Sequence, residues 1–163
     1  MIKKIITNPD ELKASTILTL KTLISSLSNM NLEHKHSDLS PVLTNLAEII
    51  IEKNGKMFLS GKFASSLIWI LSRNRINEKK LISSLKENVS YQINDLNEKD
   101  IAQCFYGFCV WRTLHTKNNS YEDILSLVVE RINFLKNKLA RKEKDIIRKG
   151  IKIANYQNKN LSI

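Results

Sequence analysis

The sequence predicts an all-α chain: a short α-solenoid of about three helical hairpins followed by a basic C-terminal helix. Three observations lead there. Glycine (4) and proline (2) are scarce in 163 residues, which disfavours the tight turns of β-sandwiches and barrels and any glycine-rich phosphate loop. Apolar residues recur at intervals of three and four, the period of one face of a helix. Short strings also repeat along the chain, as stacked hairpins require.

Taken in order, the helices are expected near 9–29, 39–54, 58–74, 77–93, 98–115 and 121–140, with a further helical stretch over 143–157. The first opens at Asn8-Pro9-Asp10-Glu11, a capping side chain before a proline whose missing N–H is no loss in a first turn. Ser40-Pro41 repeats that arrangement. Asn97 and Ser120 stand as caps before first turns that carry Glu98 and Asp100, and Glu122 and Asp123, where exposed amides favour negative charge. Behind these starts Leu12, Ser15/Thr16, Leu20, Leu23 and Leu27, then Val42/Leu43, Leu46 and Ile49/Ile50, then Leu81, Leu85 and Val89 mark the faces to be buried. The segments 30–38 and 116–120 are polar and read as loops. Strand signals are weak throughout.

The repeat emerges when three strings are aligned. Ala14-Ser15-Thr16-Ile17-Leu18-Thr19-Leu20, Ala64-Ser65-Ser66-Leu67-Ile68-Trp69-Ile70 and Ala102-Gln103-Cys104-Phe105-Tyr106-Gly107-Phe108 share a small residue, two small or polar ones, then large apolar ones. Each is followed by a second type of helix, containing Val42–Leu46, Leu81–Leu85 or Ile124–Val128. The order is A-helix then B-helix, three times over, and Asp145–Ala154 is a poor fourth A-helix because of Gly150 and its charges. A small residue lets a neighbouring helix approach, and the large ones fill the groove between pairs. One pair cannot bury both faces, so the pairs must stack. The domain division expected is a hairpin-repeat domain over 1–140 and a basic helical extension over 141–163.

Charge is concentrated at one end. The chain carries 26 basic and 16 acidic residues, net +10. From Arg131 to Ile163 ten basic residues face only Glu143 and Asp145. Lysine (20), isoleucine (21) and asparagine (17) are all abundant, and their codons are A/T-rich, so the distribution of charge is more informative than its total. A basic cluster attracts polyanions, since each Lys or Arg placed at a phosphate releases a condensed counterion.

Leu96-Asn97-Glu98-Lys99-Asp100-Ile101-Ala102-Gln103-Cys104-Phe105-Tyr106-Gly107-Phe108 resembles helix A of octotricopeptide and heptatricopeptide repeats, and is similar to the repeat regions of FAST-kinase-like and RAP-domain proteins. Lys62-Phe63-Ala64-Ser65-Ser66-Leu67-Ile68-Trp69 is a weaker match. The resemblance spans roughly residues 58–140 and implies an α-solenoid that binds organellar RNA, with ribosomal RNA and the neighbouring proteins of a mitochondrial ribosome as partners. It implies a mitochondrial location, although residues 1–8 are too short for a transit peptide.

An RNA interface uses cations for phosphates and flat groups for unpaired bases. The cations expected at one edge are Arg73, Arg75, Lys79 and Lys80 around the second A–B turn, and Arg112 and Lys117 near the third. Arg131, Lys138, Arg141, Lys142, Arg148, Lys149 and Lys152 extend the basic surface toward the C-terminus. Trp69, Phe105, Tyr106 and Trp111 have apolar neighbours and read as packing; Tyr91, Tyr121 and Tyr156 are freer to stack. The stripe Ile132, Leu135, Leu139, Ile146, Ile153 makes the basic end amphipathic, suited to RNA or a partner groove, with membrane insertion ranked lowest.

Enzymatic signals are thin. No catalytic residue, metal site, cofactor or small-molecule substrate is assigned: His34 and His36 lack a third ligand, His115 and Cys109 lie six apart on one helix, and no P-loop or G-x-S-x-G elbow occurs. Cys104 and Cys109 have neither C-x-x-C spacing nor a disulfide framework and are expected to be buried and inert. The alternative function is a helical adaptor that receives a partner helix and binds no RNA.

Overall fold

The computed structural model describes residues 16–33, 39–54, 59–115, 121–157 and 161. Among these the chain is all-helical, with seven α-helices and one 3-10 turn. Two compact units divide at Phe58.

The first unit holds α1 (Ile17–Glu33) and α2 (Ser40–Asn54), packed together as a hairpin. Thr16 opens α1, its Oγ1 accepting from the Thr19 amide at 3.2 Å. The start expected at Asn8-Pro9 lies outside the described residues, as do Ala14 and the His34/His36 segment. Pro41 sits in the first turn of α2, where a proline costs no hydrogen bond. Leu20, Ile24 and Leu27 on α1, and Leu43, Leu46, Ala47 and Ile50 on α2, are buried at the helical spacing the sequence shows.

The second unit, Leu59–Ile163, contains α3 (Gly61–Arg73), α4 (Lys79–Gln92), the 3-10 turn Ile93–Asp95, α5 (Glu98–Leu114), α6 (Glu122–Leu135) and α7 (Arg141–Ala154). Helices α3–α4 and α5–α6 are the two A–B hairpins. The A-helices pack side by side, α3 on α5 and α5 on α7, with the B-helices behind them. Hydrogen bonds at both ends set the direction. Ser65 donates to Asp100 near the N-termini of α3 and α5 (2.9 Å), and the Trp111 indole donates to the Ile76 carbonyl at their C-termini (2.7 Å). Helices α3 and α5 are therefore parallel and pack directly on one another, as stacked hairpins require; in an up-and-down bundle alternate helices are parallel too, but lie across a diagonal.

Helix α5 explains why the layers hold. It is buried along nearly its whole length, with Ile101, Ala102, Cys104, Phe105, Phe108, Cys109 and Trp111 each at 0% exposure. Gly107 lets α3 approach: a Cβ there would run into Ile68 Cγ2. Gly150 does the same for α7, since its Cβ would lie 3.1 Å from the Phe105 ring and 3.3 Å from the Tyr106 Cα. The glycine that makes Asp145–Ala154 a poor copy by sequence is thus the residue that seats it in the A-helix layer.

Three boundaries differ most from expectation. Helix α1 runs through Glu33, four residues into the segment read as a loop. The B-helix ends at Leu135 instead of running to 140, and α7 begins at Arg141 after a turn in which Leu139 is buried. The slip in apolar register between Leu139 and Ile146 marks that reversal. The described compact unit also runs through residue 141 without a break, because α7 covers α5; the helix expected as an extension beyond the repeat domain lies inside the unit.

Helix ends follow local chemistry. Asn97 caps α5 by accepting from the Asp100 amide at 3.0 Å. Ser120 lies outside the described residues, and α6 starts after a buried Tyr121. Both α3 and α7 close through a left-handed residue, Arg75 (φ 55°) and Asn155 (φ 44°). In each case the next amide reaches back, Ile76 to the Leu71 carbonyl (2.9 Å) and Tyr156 to the Ile151 carbonyl (3.0 Å).

Candidate nucleic-acid interface

Within the second unit the expected cations sort into three groups. The first is the A–B turn after α3. Arg73, Arg75, Lys79 and Lys80 are all exposed within eight positions of one another, brought together because the chain reverses there. Arg73 lies over the Trp69 ring at 5.1 Å, and Trp69 packs on Tyr106 at 5.0 Å across the α3–α5 seam. The cation–π contact fixes the guanidinium's carbon stem while leaving donors to solvent.

The second group is the outer face of α7. Ile147, Gly150 and Ala154 are buried against α5. At 3.6 residues per turn, Arg141, Lys142, Arg148, Lys149 and Lys152 fall on the opposite side within an arc of roughly 120°, spread over about 16 Å of helix. All five are exposed, and Asp145 is the acid on that arc. It pairs with Arg148 at 3.2 Å, both side chains about half exposed, a pair worth little in stability. The result is a strip of like charge with one neutralised position. Like charges so placed repel one another, a cost of tenths of a kcal/mol per pair that a bound polyanion would relieve.

The third group is spent inside the fold. The Arg112 guanidinium donates to Glu122 Oε1 at 2.8 Å and to the Ala154 carbonyl at 3.1 Å, tying the start of α6 and the end of α7 to α5. It also lies over the Tyr156 ring at 5.5 Å. Arg131 donates twice to the Leu96 carbonyl, at 3.2 and 3.0 Å, clamping α6 to the segment that leads into α5. Lys138 is exposed in the α6–α7 turn. Lys117 lies outside the described residues.

The aromatic residues divide in the same way. Trp111 and Phe105 are fully buried, and Trp69 and Tyr106 occupy each other across a helix seam, as their neighbours in sequence suggest. Tyr121 and Tyr156, expected to be freer, are buried at 4% and 6% exposure. Tyr121 stacks with His115 and burial pushes its hydroxyl pKa up to about 12; Tyr156 sits edge-on to Phe105. Sequence spacing could not find this, because both rings lie just outside helices, at positions that only the stacking of hairpins covers. Tyr91 is 74% exposed.

The thiols are unsuited to chemistry. Burial raises the Cys104 pKa far above its ordinary value, with Asp100 adding to the rise. Burial also pushes Cys109 up to about 12, the Arg112 charge opposing and the Glu122 charge assisting. Among the described residues no three His, Cys, Asp or Glu side chains gather as a metal set, and no described helix is long and apolar enough to cross a membrane. Comparison with protein-family models, with curated proteins and with solved structures finds no match to this chain.

Proposed function

We propose that this chain is a non-catalytic, RNA-binding helical-repeat protein that serves as a structural part of an organellar ribonucleoprotein, with ribosomal RNA as its nucleic-acid class. The supporting observation is the α7 arc. A helix that merely closes a stack needs a polar outer face, and acids serve that purpose as well as bases; here five of the six charges are positive. Helix α7 is held to a rigid neighbour through Gly150 and Arg112, so its cations are presented on a fixed lattice and need little ordering on binding. Phosphate contacts of this kind position a protein and carry little sequence information.

The reading is tested on the full chain. RNA co-purifying with the protein, seen as excess absorbance at 260 nm, and heparin retention beyond about 0.3 M salt are expected for several phosphate contacts. Elution of nucleic-acid-free protein at low salt, with a partner protein in a pull-down, would instead favour the helical adaptor.

A further inference from the structure

The B-helices carry a feature that the phosphate-binding surface does not use. Helices α4 and α6 begin at Lys79 and Glu122, 43 positions apart, and both span 14 residues. In that register Leu81, Ile82, Leu85 and Val89 correspond to Ile124, Leu125, Val128 and Ile132, all buried. The same register pairs Tyr91 with Phe134, and these two are the most exposed large hydrophobic side chains among the described residues of the unit, at 74% and 75%. Two flat rings therefore stand at equivalent positions on adjacent outer helices, turned to solvent in a fold that buries its other described phenyl and indole rings wholly or in large part. An isolated exposed ring is ordinary; the same exposure repeated in register is a property of the repeat.

Between α6 and the 3-10 turn that follows α4 lies a groove of about 410 Å³ lined by Ile93, Asn94, Leu127, Glu130, Arg131 and Phe134. Phe134 forms one wall, its ring backed by the Arg131 guanidinium at 5.0 Å, and Arg131 is itself fixed on the Leu96 carbonyl. The volume is near the lower end for a small-ligand cleft: it suits one planar group and is too small for a helix. Asn94 and Glu130 supply an amide and a carboxylate at its rim, groups that pair with the edges of bases. Directly after Phe134 the chain turns through Lys136, Lys138, Arg141 and Lys142, all exposed, so phosphates beside a bound base would meet four cations.

We infer that the outer layer binds unpaired nucleotides, with Phe134 and Tyr91 as stacking platforms and the groove beside Phe134 holding one base. This rests on the RNA-binding reading and adds what that reading lacks, a preference for single-stranded over duplex segments. Charge complementarity with the turn at 136–142 decides for a nucleic acid over an apolar peptide. A stacked base supplies its π-face whatever its identity, so sequence selectivity is weak.

The test compares a fluorescein-labelled unstructured 12-nucleotide RNA with a perfect RNA duplex, both titrated with the full-length protein and its variants. Phe134→Ala weakens single-strand binding by roughly 5- to 100-fold, Tyr91→Ala does so to a lesser degree, and duplex binding is unchanged. Phe134→Trp restores affinity, and single-stranded RNA quenches the new indole more than it does the wild-type fluorescence. Because the ring is exposed, these substitutions leave the melting temperature in place, which is checked on the same samples. Equal single-strand affinity for wild type and Phe134→Ala overturns the inference while leaving RNA binding standing. Absence of binding to either RNA overturns both. A Phe134-dependent dimer in light scattering, with RNA affinity unaffected, reassigns the rings to self-association.

Discussion

Helices α5 and α7 are neighbours in one layer of A-helices, yet their surfaces differ completely. Helix α5 is flanked by an A-helix on each side and a B-helix behind, and its sequence is apolar nearly all round. Helix α7 has one described neighbour in the layer; Ile147, Gly150 and Ala154 are buried against it, and five basic residues and Asp145 occupy the opposite arc. The difference teaches what each position demands. An interior helix must satisfy every direction by packing, so Asp100 pairs with Ser65 and Trp111 with the Ile76 carbonyl, and of its buried polar atoms Gln103 Oε1 is left without a partner. The face of α7 turned away from α5 is under no such demand among the described residues, and it is cationic.

Truncation should separate the two most sharply. Phe108→Ala removes a fully buried ring from α5 and is expected to cost about 3–5 kcal/mol in denaturant unfolding, whereas Lys149→Ala on α7 shifts stability by less than about 0.5 kcal/mol. A small loss at Phe108 would mean that the A-helix layer is not the core.

The paired glycines sharpen the contrast. Gly107→Ala forces its Cβ onto Ile68 and should destabilise by about 1–3 kcal/mol despite better helix propensity. Gly150→Ala meets the Phe105 edge at 3.1 Å and the Tyr106 Cα at 3.3 Å, a crowding relieved by shifts of tenths of an ångström, so its cost should stay below that of Gly107→Ala. Equal effects would show that α3 and α7 do not approach α5 with unequal closeness.

The thiols of α5 predict an alkaline limit. Both are held protonated by burial, while in the unfolded chain they ionise near their ordinary value of 9. Their contribution is fully present below pH 9 and lost as pH climbs from 9 toward 12, by about 1 kcal/mol per thiol per pH unit. Cys109→Ala should flatten the fall in a melting series from pH 8 to 10.5; an unaltered slope would place that thiol in contact with water. A small effect of the opposite sign is expected at Arg75, an arginine at φ 55°. Arg75→Gly relieves the left-handed strain and should stabilise by about 0.5–1 kcal/mol while weakening RNA binding through removal of a cation, a pairing of opposite effects that distinguishes a functional charge from a structural one.

How far the sequence foretells these differences depends on the length of chain over which a signal acts. The all-α class and the second and third hairpins follow from spacing and caps within a dozen residues, and Asn97 caps its helix as its position suggests. Signals that depend on stacking are invisible locally. Arg112 and Arg131 look like surface cations until α7 and the Leu96 carbonyl are brought to them. Gly150 looks like a helix breaker until Phe105 faces it. Tyr121 and Tyr156 look exposed because their cover comes from elsewhere in the chain. The 43-residue register that pairs Tyr91 with Phe134 is already set by aligning Leu81–Leu85 with Ile124–Val128, but that both rings face solvent shows only in the fold.

The central claim is that the outer face of α7 binds phosphates, and its most direct test avoids removing the helix, since deleting 141–163 would strip α5 of its cover. Replacing Arg141, Lys142, Arg148, Lys149 and Lys152 with glutamine keeps the buried stripe and discharges the arc. Affinity for single-stranded RNA is then measured from 50 to 300 mM salt for both proteins. The account predicts that the slope of log K against log salt falls by roughly 3 in magnitude, about 0.7 for each phosphate that is no longer neutralised. Parallel slopes for the two proteins would contradict it.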